Sequence, residues 1–328
     1  MLNKKFKLNP KIFDKDVEQV PTRFGYGEGL VELGKTNPNV VVLTGDLAGS
    51  TRVDGFAKAF PDRFIEVGVA EQNMMGIAAG LALEGKIPFI SSYAVFMPGR
   101  NWDQLRVSVC YSEANVKVAG AHSGISVGPD GATHQALEDI AITRVLPGLT
   151  VIVPCDSIET KKATLASAAL KGPVYFRFTR EKTPVITTTD TPFQIGKAQV
   201  LYEGTDASIV ACGPLVYQSL IAADKLAKEG IRVRVINNST IKPLDNETII
   251  AAAIETGAIV TVEEHQTTGG LRGVIAECVT ANAPVPMEAI GMPDSFGQSG
   301  EPNELLEHYG MSVKEIVKAV KRVIKRKK

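Results

Sequence analysis

Residues 64–89 read FIEVGVAEQNMMGIAAGLALEGKIPF, and the pattern of this stretch decides the fold class. Ile65, Val67 and Val69 alternate as in a short β-strand. Gly68 permits a tight turn. From Glu71 the chain turns helical, with Met74, Met75, Ala78, Ala79 and Ala82 packing against neighbours and Gly85 punctuating the end. Residues 87–90 form the next apolar strand. Gly76 and Gly80 stand four apart, which leaves one helix face nearly bare, so that another backbone can come close. Glu71 is the odd residue. It is a carboxylate in apolar company at the C-terminal end of a strand, where open α/β sheets place their ligands. An acidic residue there also complements the positive end of a helix dipole, and this stretch alone leaves both readings open.

The same alternation continues on both sides. Residues 40–44 (VVVLT) are a β-branched run of the kind buried on both faces of a parallel sheet. Before it, Thr22 is placed to cap a helix over 23–35, and Gly25, Gly27 and Gly29 thin one face of that helix for close packing. After it come Gly45, Asp46 and a polar loop through Ser50 and Arg52, then a short helix over 56–60 stopped by Pro61. Residues 91–106 begin as a strand end and become a helix. They carry Tyr93 and Phe96 at a spacing ordinary for core aromatics. A strand over 116–120 feeds a long polar loop, 121–137 (AHSGISVGPDGATHQAL), which holds His122, Asp130 and His134. A loop of that length inside a compact domain favours a polar site over an idle surface Ω-loop. Strands over 150–153 and 174–178 enclose a helix over 157–170, and Arg180 follows.

Strands alternating with helices predict an α/β protein with doubly wound, mainly parallel sheets. Threonines and prolines over 183–192 have the character of a linker, which divides the chain into a domain over 1–182 and a second α/β domain over 193–328. The second domain's strands are expected at 208–212, 232–236, 258–262 and 286–290, with helices over 216–229, 247–255, 270–281 and 313–326. His265, in a strand-end loop, is the weakest site candidate; a satisfied loop histidine is an equal reading.

Composition narrows the function classes. The chain has 328 residues, enough for two domains, and its 44% apolar and 22% charged residues are those of a soluble globular protein. A net charge of zero argues against nucleic acid as the main partner. No apolar run is long enough to span a bilayer. The first twenty residues carry lysines but neither an apolar signal core nor an arginine, so no secretory or transit segment is expected. The four cysteines lie far apart without metal-ligand or redox spacing. Buried thiols in a reducing cytoplasm are the expectation, and no metal site is expected on this chain.

Taken in order, TRFGYGEGL, GDLAGS, GVAEQNMMGIAAGLAL, HSGISVGPDGATHQALEDIA, VPCDS and FRFTRE resemble the C-terminal half of transketolase. The resemblance covers almost the whole chain: a pyrimidine-binding domain followed by the C-terminal domain. The GDG-to-Asn motif by which that family's N-terminal half holds the diphosphate and metal is not found; the nearest strings are Gly45-Asp46-Leu47 and Pro129-Asp130-Gly131. The resemblance therefore implies the small subunit of a split, thiamine diphosphate-dependent transketolase of the pentose phosphate type. A separate N-terminal subunit would hold a divalent metal, Mg or Ca, and the two chains would form a dimer or heterotetramer.

The resemblance also implies roles. Glu71 and His134 are the catalytic candidates. Glu71 matches the glutamate at N1′ of the cofactor's aminopyrimidine, where proton donation favours the tautomer that deprotonates the thiazolium carbon. Burial makes such a carboxyl easier to keep protonated, while the helix N-terminus opposes this. Phe96 matches the stacking aromatic, Tyr93 shares its pocket, and Asp46 matches an aspartate on the thiazolium side. Arg23, Ser50, His122 and Arg180 match the sugar-phosphate anchors. Asp130 matches the carboxylate that reads a substrate hydroxyl, and His134 a histidine beside the reacting carbonyl. Ser123, Pro129 and the Gly99–Arg100 pair depart from the usual pattern, and Arg100 is a candidate extra anion contact. Competing readings are the β subunit of a 2-oxo acid dehydrogenase, a 1-deoxyxylulose-5-phosphate synthase-like fragment, and a non-catalytic scaffold. The first has no need of phosphate anchors.

Overall fold

The computed structural model describes residues 1–327. A short antiparallel pair, β1 (Gln19–Pro21) with β8 (Lys182–Pro184), ties the start of the first domain to the segment that leaves it. Between them run β2 (Val40–Thr44), β3 (Phe64–Glu66), β4 (Ile87–Tyr93), β5 (Lys117–Ala121), β6 (Thr150–Ile152) and β7 (Val174–Arg177), all parallel. The helices of this half are α1 (Thr22–Thr36), α2 (Ala48–Thr51), α3 (Asp54–Ala59), α4 (Glu71–Leu83), α5 (Trp102–Gln104), α6 (Asp139–Arg144) and α7 (Ser157–Ala169). A π-helical segment, Leu105–Tyr111, continues α5. The second sheet holds β9 (Gln199–Tyr202), β10 (Ala207–Ala211), β11 (Val233–Asn237), β13 (Ile259–Gln266) and β14 (Met287–Met292), in the order β14-β13-β10-β11-β9 with only β9 antiparallel. Its helices are α8 (Leu215–Lys228), α9 (Asn246–Thr256), α10 (Leu271–Asn282), α11 (Pro302–His308) and α12 (Val313–Lys325).

The first sheet has the order β12-β6-β7-β5-β4-β2-β3. Its edge strand β12 (Thr240–Lys242) comes from the second half of the chain and runs antiparallel to β6. β2 and β4 are buried along nearly their whole length, as continuous apolar runs demand in a sheet covered on both faces. The chain moves outward from β2 to β3, then returns through α4 to β4 on the other side of β2. That reversal puts the strand ends after β2, β3 and β4 around one crevice.

Two local expectations, on Thr22 and His265, are corrected. Thr22 does not cap α1: the helix begins at Thr22 itself, Pro21 is the cap residue, and the Thr22 hydroxyl accepts from the Thr179 amide at 2.8 Å. Buried between two segments, that oxygen satisfies a strand-end amide instead. The Gly76 and Gly80 face of α4 meets no heavy atom within 4 Å where a Cβ would stand, so within this chain no backbone approaches it. His265 is the seventh residue of β13 rather than a loop residue. The thinned face of α1 does pack closely, against α7: a Cβ on Gly25 would lie 1.8 Å from the Ser157 carbonyl oxygen, and one on Gly29 2.9 Å from Thr164 Cβ. No helix among the described residues is long and apolar enough to cross a membrane.

Candidate active site

Gly68, at φ +71°, makes the turn after β3, and α4 starts three residues later. The turn places Glu71 at the first helical position, where its side chain is only 1% exposed. Ser92, near the end of β4, donates its hydroxyl to Glu71 Oε1 at 2.9 Å. Arg100 donates to Oε2 at 2.6 Å, and Asn101 Nδ2 donates to the Glu71 carbonyl at 3.1 Å. One donor from β4 and two from the β4–α5 connection thus fix this residue, which goes beyond what complementing a helix dipole requires.

An aromatic wall continues from Arg100. Its guanidinium lies over the Phe96 ring, 4.6 Å from the centroid. Phe96 stacks on Tyr93 at 5.9 Å and meets His134 edge-on at 5.5 Å. Tyr93 touches His122 with centroids 4.2 Å apart. From His122 the contacts reach the charged end: Arg23 donates to His122 Nε2 at 3.0 Å and to the Ser50 carbonyl oxygen at 2.8 Å. Arg180 pairs with Asp130 at 2.9 Å and with Glu181 at 3.5 Å. Through Arg100, one unbroken chain of contacts therefore joins Glu71 to Phe96, Tyr93, His134, His122, Arg23 and Ser50, and the Arg180–Asp130 pair lies beside it. Ser50 enters through its backbone. Asp46 is not drawn into this chain; it is exposed, and its amide donates to Glu66 Oε1 at 2.7 Å.

Electrostatics at the two ends differ. Burial, and then the charges of Arg23 and Arg180, push the His122 imidazole down to about 3. A neutral ring accepting from Arg23 at Nε2 carries its proton on Nδ1, which is buried and has no partner. The Arg23 guanidinium is itself lowered by burial and by Arg52 and Arg180. His122 (φ 55°) and Asp46 (φ 61°) both adopt the left-handed region, a strain that persists where surrounding structure enforces it.

Several contacts had no signal in the sequence, although Arg100 itself stood out there as a candidate extra anion contact. Arg100 and Ser92 reach Glu71 across 29 and 21 residues, distances that no helical or strand period links. Arg52, over the Phe24 ring at 3.9 Å, adds a third cation beside Arg23 and Arg180. The second half of the chain holds the loop that carries His122 and His134. Glu264 Oε1 accepts from the Ser126 amide at 2.6 Å, Arg177 donates to the Glu264 and Ala136 carbonyls, and Gln135 donates to the Gln298 carbonyl at 2.9 Å. His265 stands apart. It is fully buried, its Nδ1 pairs with the Gln266 carbonyl at 2.8 Å, and its Nε2 accepts from the Ala141 amide at 3.3 Å, so it is a satisfied core histidine.

Two family models match the chain, the transketolase pyrimidine binding domain over residues 18–185 and the transketolase C-terminal domain over 196–316. The chain belongs to the transketolase family. It is 45% identical over 307 residues to a putative transketolase C-terminal section of Methanocaldococcus jannaschii, covering 93% of this chain and 96% of the relative. A 6-deoxy-6-sulfo-D-fructose transketolase subunit of a Clostridium species is 41% identical, covering 96% and 98%. Among solved structures, a split gene transketolase described as an inactive beta4 tetramer superposes with a TM-score of 0.89 at 45% identity, over 94% of this chain and all of that one. The chain spans about half the length of other transketolases it matches.

The transketolase family depends on thiamine diphosphate, and the residues here fit the aminopyrimidine half of that cofactor. Arg100 bridges a buried carboxylate to an aromatic face, and two buried polar atoms have no partners, Asn101 Oδ1 in the β4–α5 connection and His122 Nδ1 just after β5. Among the described residues no three carboxylate, imidazole or thiol groups are set to hold a metal ion.

Proposed function

We propose that this chain is the C-terminal subunit of a split transketolase, transferring a two-carbon ketol unit from a ketose phosphate to an aldose phosphate. The observation that carries the reading is the continuous line of contacts from Glu71, through Phe96, Tyr93 and His122, to Arg23. It sets a carboxyl and an aromatic face at one end and an anion anchor at the other. Thiamine diphosphate, when bound, supplies the carbon nucleophile and the electron sink. Glu71 holds and moves a proton at N1′ of the aminopyrimidine, and Phe96 and Tyr93 seat its ring. Asp46, exposed and outside that line of contacts, would meet the thiazolium side. His134 moves a proton at, or donates to, the oxygen of the reacting carbonyl.

Arg23, Arg180 and His122 take the sugar's anionic tail, His122 as a neutral donor through Nδ1. Two forks and an imidazole suit a tetrahedral dianion. Asp130 reads a hydroxyl near the reacting carbon once Arg180 turns to the tail. The named activity of the Clostridium relative, on a sulfonated sugar, supports a site for a sugar with an anionic end. The diphosphate and its Mg or Ca ion belong to a separate N-terminal subunit, and the assembly is a heteromer. The reading is tested by assaying ketol transfer from a ketose phosphate with this chain alone, with the diphosphate-binding chain alone and with both, each with cofactor and metal. Transfer only in the mixture is the expected result. Turnover by the pure chain overturns the split assignment, and 2-oxo acid decarboxylation without ketol transfer favours a dehydrogenase β subunit.

A further inference from the structure

Arg100 occupies a peculiar position. Its guanidinium is a planar, nitrogen-rich cation whose central carbon lies over the Phe96 ring, 4.6 Å from the centroid, with a nitrogen 2.6 Å from Glu71 Oε2. A contact over the Phe96 ring and a bond to Glu71 are the two contacts that the function proposed above assigns to the cofactor's aminopyrimidine, itself a flat nitrogen ring that exchanges a proton with Glu71. We propose that Arg100 is a latch: in the chain without cofactor its guanidinium sits in the aminopyrimidine's seat, and it swings out when thiamine diphosphate binds.

The surroundings suit such a device. The Glu71 side chain is 1% exposed, so a carboxylate left there without a cationic partner would be costly. Ser92 supplies only one neutral donor to it. A subunit that exists apart from its partner therefore needs a substitute for the cofactor, and Arg100 is one. The Arg100 side chain is 45% exposed on its other side, which leaves a path into solvent. Its amide is anchored one turn after Phe96, donating to the Phe96 carbonyl at 2.8 Å, so the side chain can leave while the backbone stays. Asn101 and Trp102, the next residues, are pinned separately, to the Glu71 carbonyl and the Ile142 carbonyl. Movement is thus confined to one long side chain.

The inference rests on the transketolase reading, and its test is built to fail separately from it. Thiamine diphosphate affinity is measured for the reconstituted complex of wild type, Arg100→Ala and Arg100→Lys, by quenching of Trp102, the only tryptophan of this chain. Thermal unfolding is followed with and without cofactor. A competitor held by one part-exposed ion pair and one cation–π contact should weaken binding by on the order of tenfold. Arg100→Ala should therefore bind the cofactor about tenfold more tightly. Its cofactor-free form should melt lower, with a larger cofactor-induced rise in melting temperature, because the cofactor then restores the only strong partner of Glu71. Arg100→Lys keeps the charge without the planar face and should fall between. Affinity equal to or weaker than wild type in Arg100→Ala would overturn the latch. A wild-type complex that binds no thiamine diphosphate would instead overturn the function on which it rests.

Discussion

Arg23 and Arg180 sit at one end of the site, and each offers a charge-assisted bond to a phosphate, worth about 1.5–3 kcal/mol. Arg180→Ala and Arg23→Ala should each raise KM for a phosphorylated substrate about tenfold to a hundredfold and leave KM for an unphosphorylated one nearly unchanged. Steady-state kinetics with both substrate types checks this; equal effects would make the arginines structural. His122 carries a pH signature. Its folded value of about 3 lies below the ordinary 6.5. As pH falls through 6.5, the unfolded chain takes up a proton that the folded chain refuses until about 3, so the residue's contribution to stability falls with pH. At pH 5 the gap is about 2 kcal/mol. Denaturant unfolding of wild type and His122→Gln at pH 8 and pH 5 should show wild type losing about that much more. Taking the difference between the two proteins cancels the other titrating groups they share, such as Glu159 and Glu263, which burial raises to about 7.

At the scale of elements, the strongest local test is the contact of α1 with α7. A Cβ on Gly25 would meet the Ser157 carbonyl oxygen at 1.8 Å, and neither helix backbone can yield cheaply. Gly25→Ala should cost more than about 2 kcal/mol in unfolding free energy, as overpacking does, and should disturb Arg23 two residues before it. A melting temperature within a degree of wild type would contradict that packing. The glycine triplet was legible as a close-packing signal because backbone contact needs bare Cα positions; its partner α7 was not, since nothing in 157–169 marks the complementary face. Most parallel strands were likewise legible as apolar runs between turns. β12 was not: three residues, Thr240–Lys242, carry too little pattern to announce a strand, and they pair with β6, some ninety residues away. β9 escaped for a similar reason, being a short edge strand added antiparallel. In the site, Glu71 stood out because a carboxylate interrupts an apolar βαβ stretch. Arg100 on Glu71, and Glu264 on the Ser126 amide, are tertiary contacts between distant segments, and no periodicity encodes them.

At the scale of the whole molecule, the exposed apolar surface on and around α4 bears on assembly. Val69 is 71% exposed, Leu83 67% and Tyr111 86%, and the Gly76–Gly80 face is bare. The assembly proposed would cover these apolar residues and the bare glycine face. Sedimentation at micromolar concentration should find at least a dimer of this chain, and a monomer would count against the assembly proposed. In the function proposed, this chain supplies the carboxyl that activates a cofactor whose other end another subunit holds. Hydrogen–deuterium exchange at the C2 carbon of thiamine diphosphate measures that step directly, in the chain with its partner, with saturating cofactor and metal. Exchange should be fast in the wild-type complex, unaccelerated by either chain alone, and slower by ~10²–10⁴-fold in Glu71→Ala with its folded structure intact. Exchange in Glu71→Ala within about threefold of wild type, far short of the smallest such effect, would contradict the function proposed.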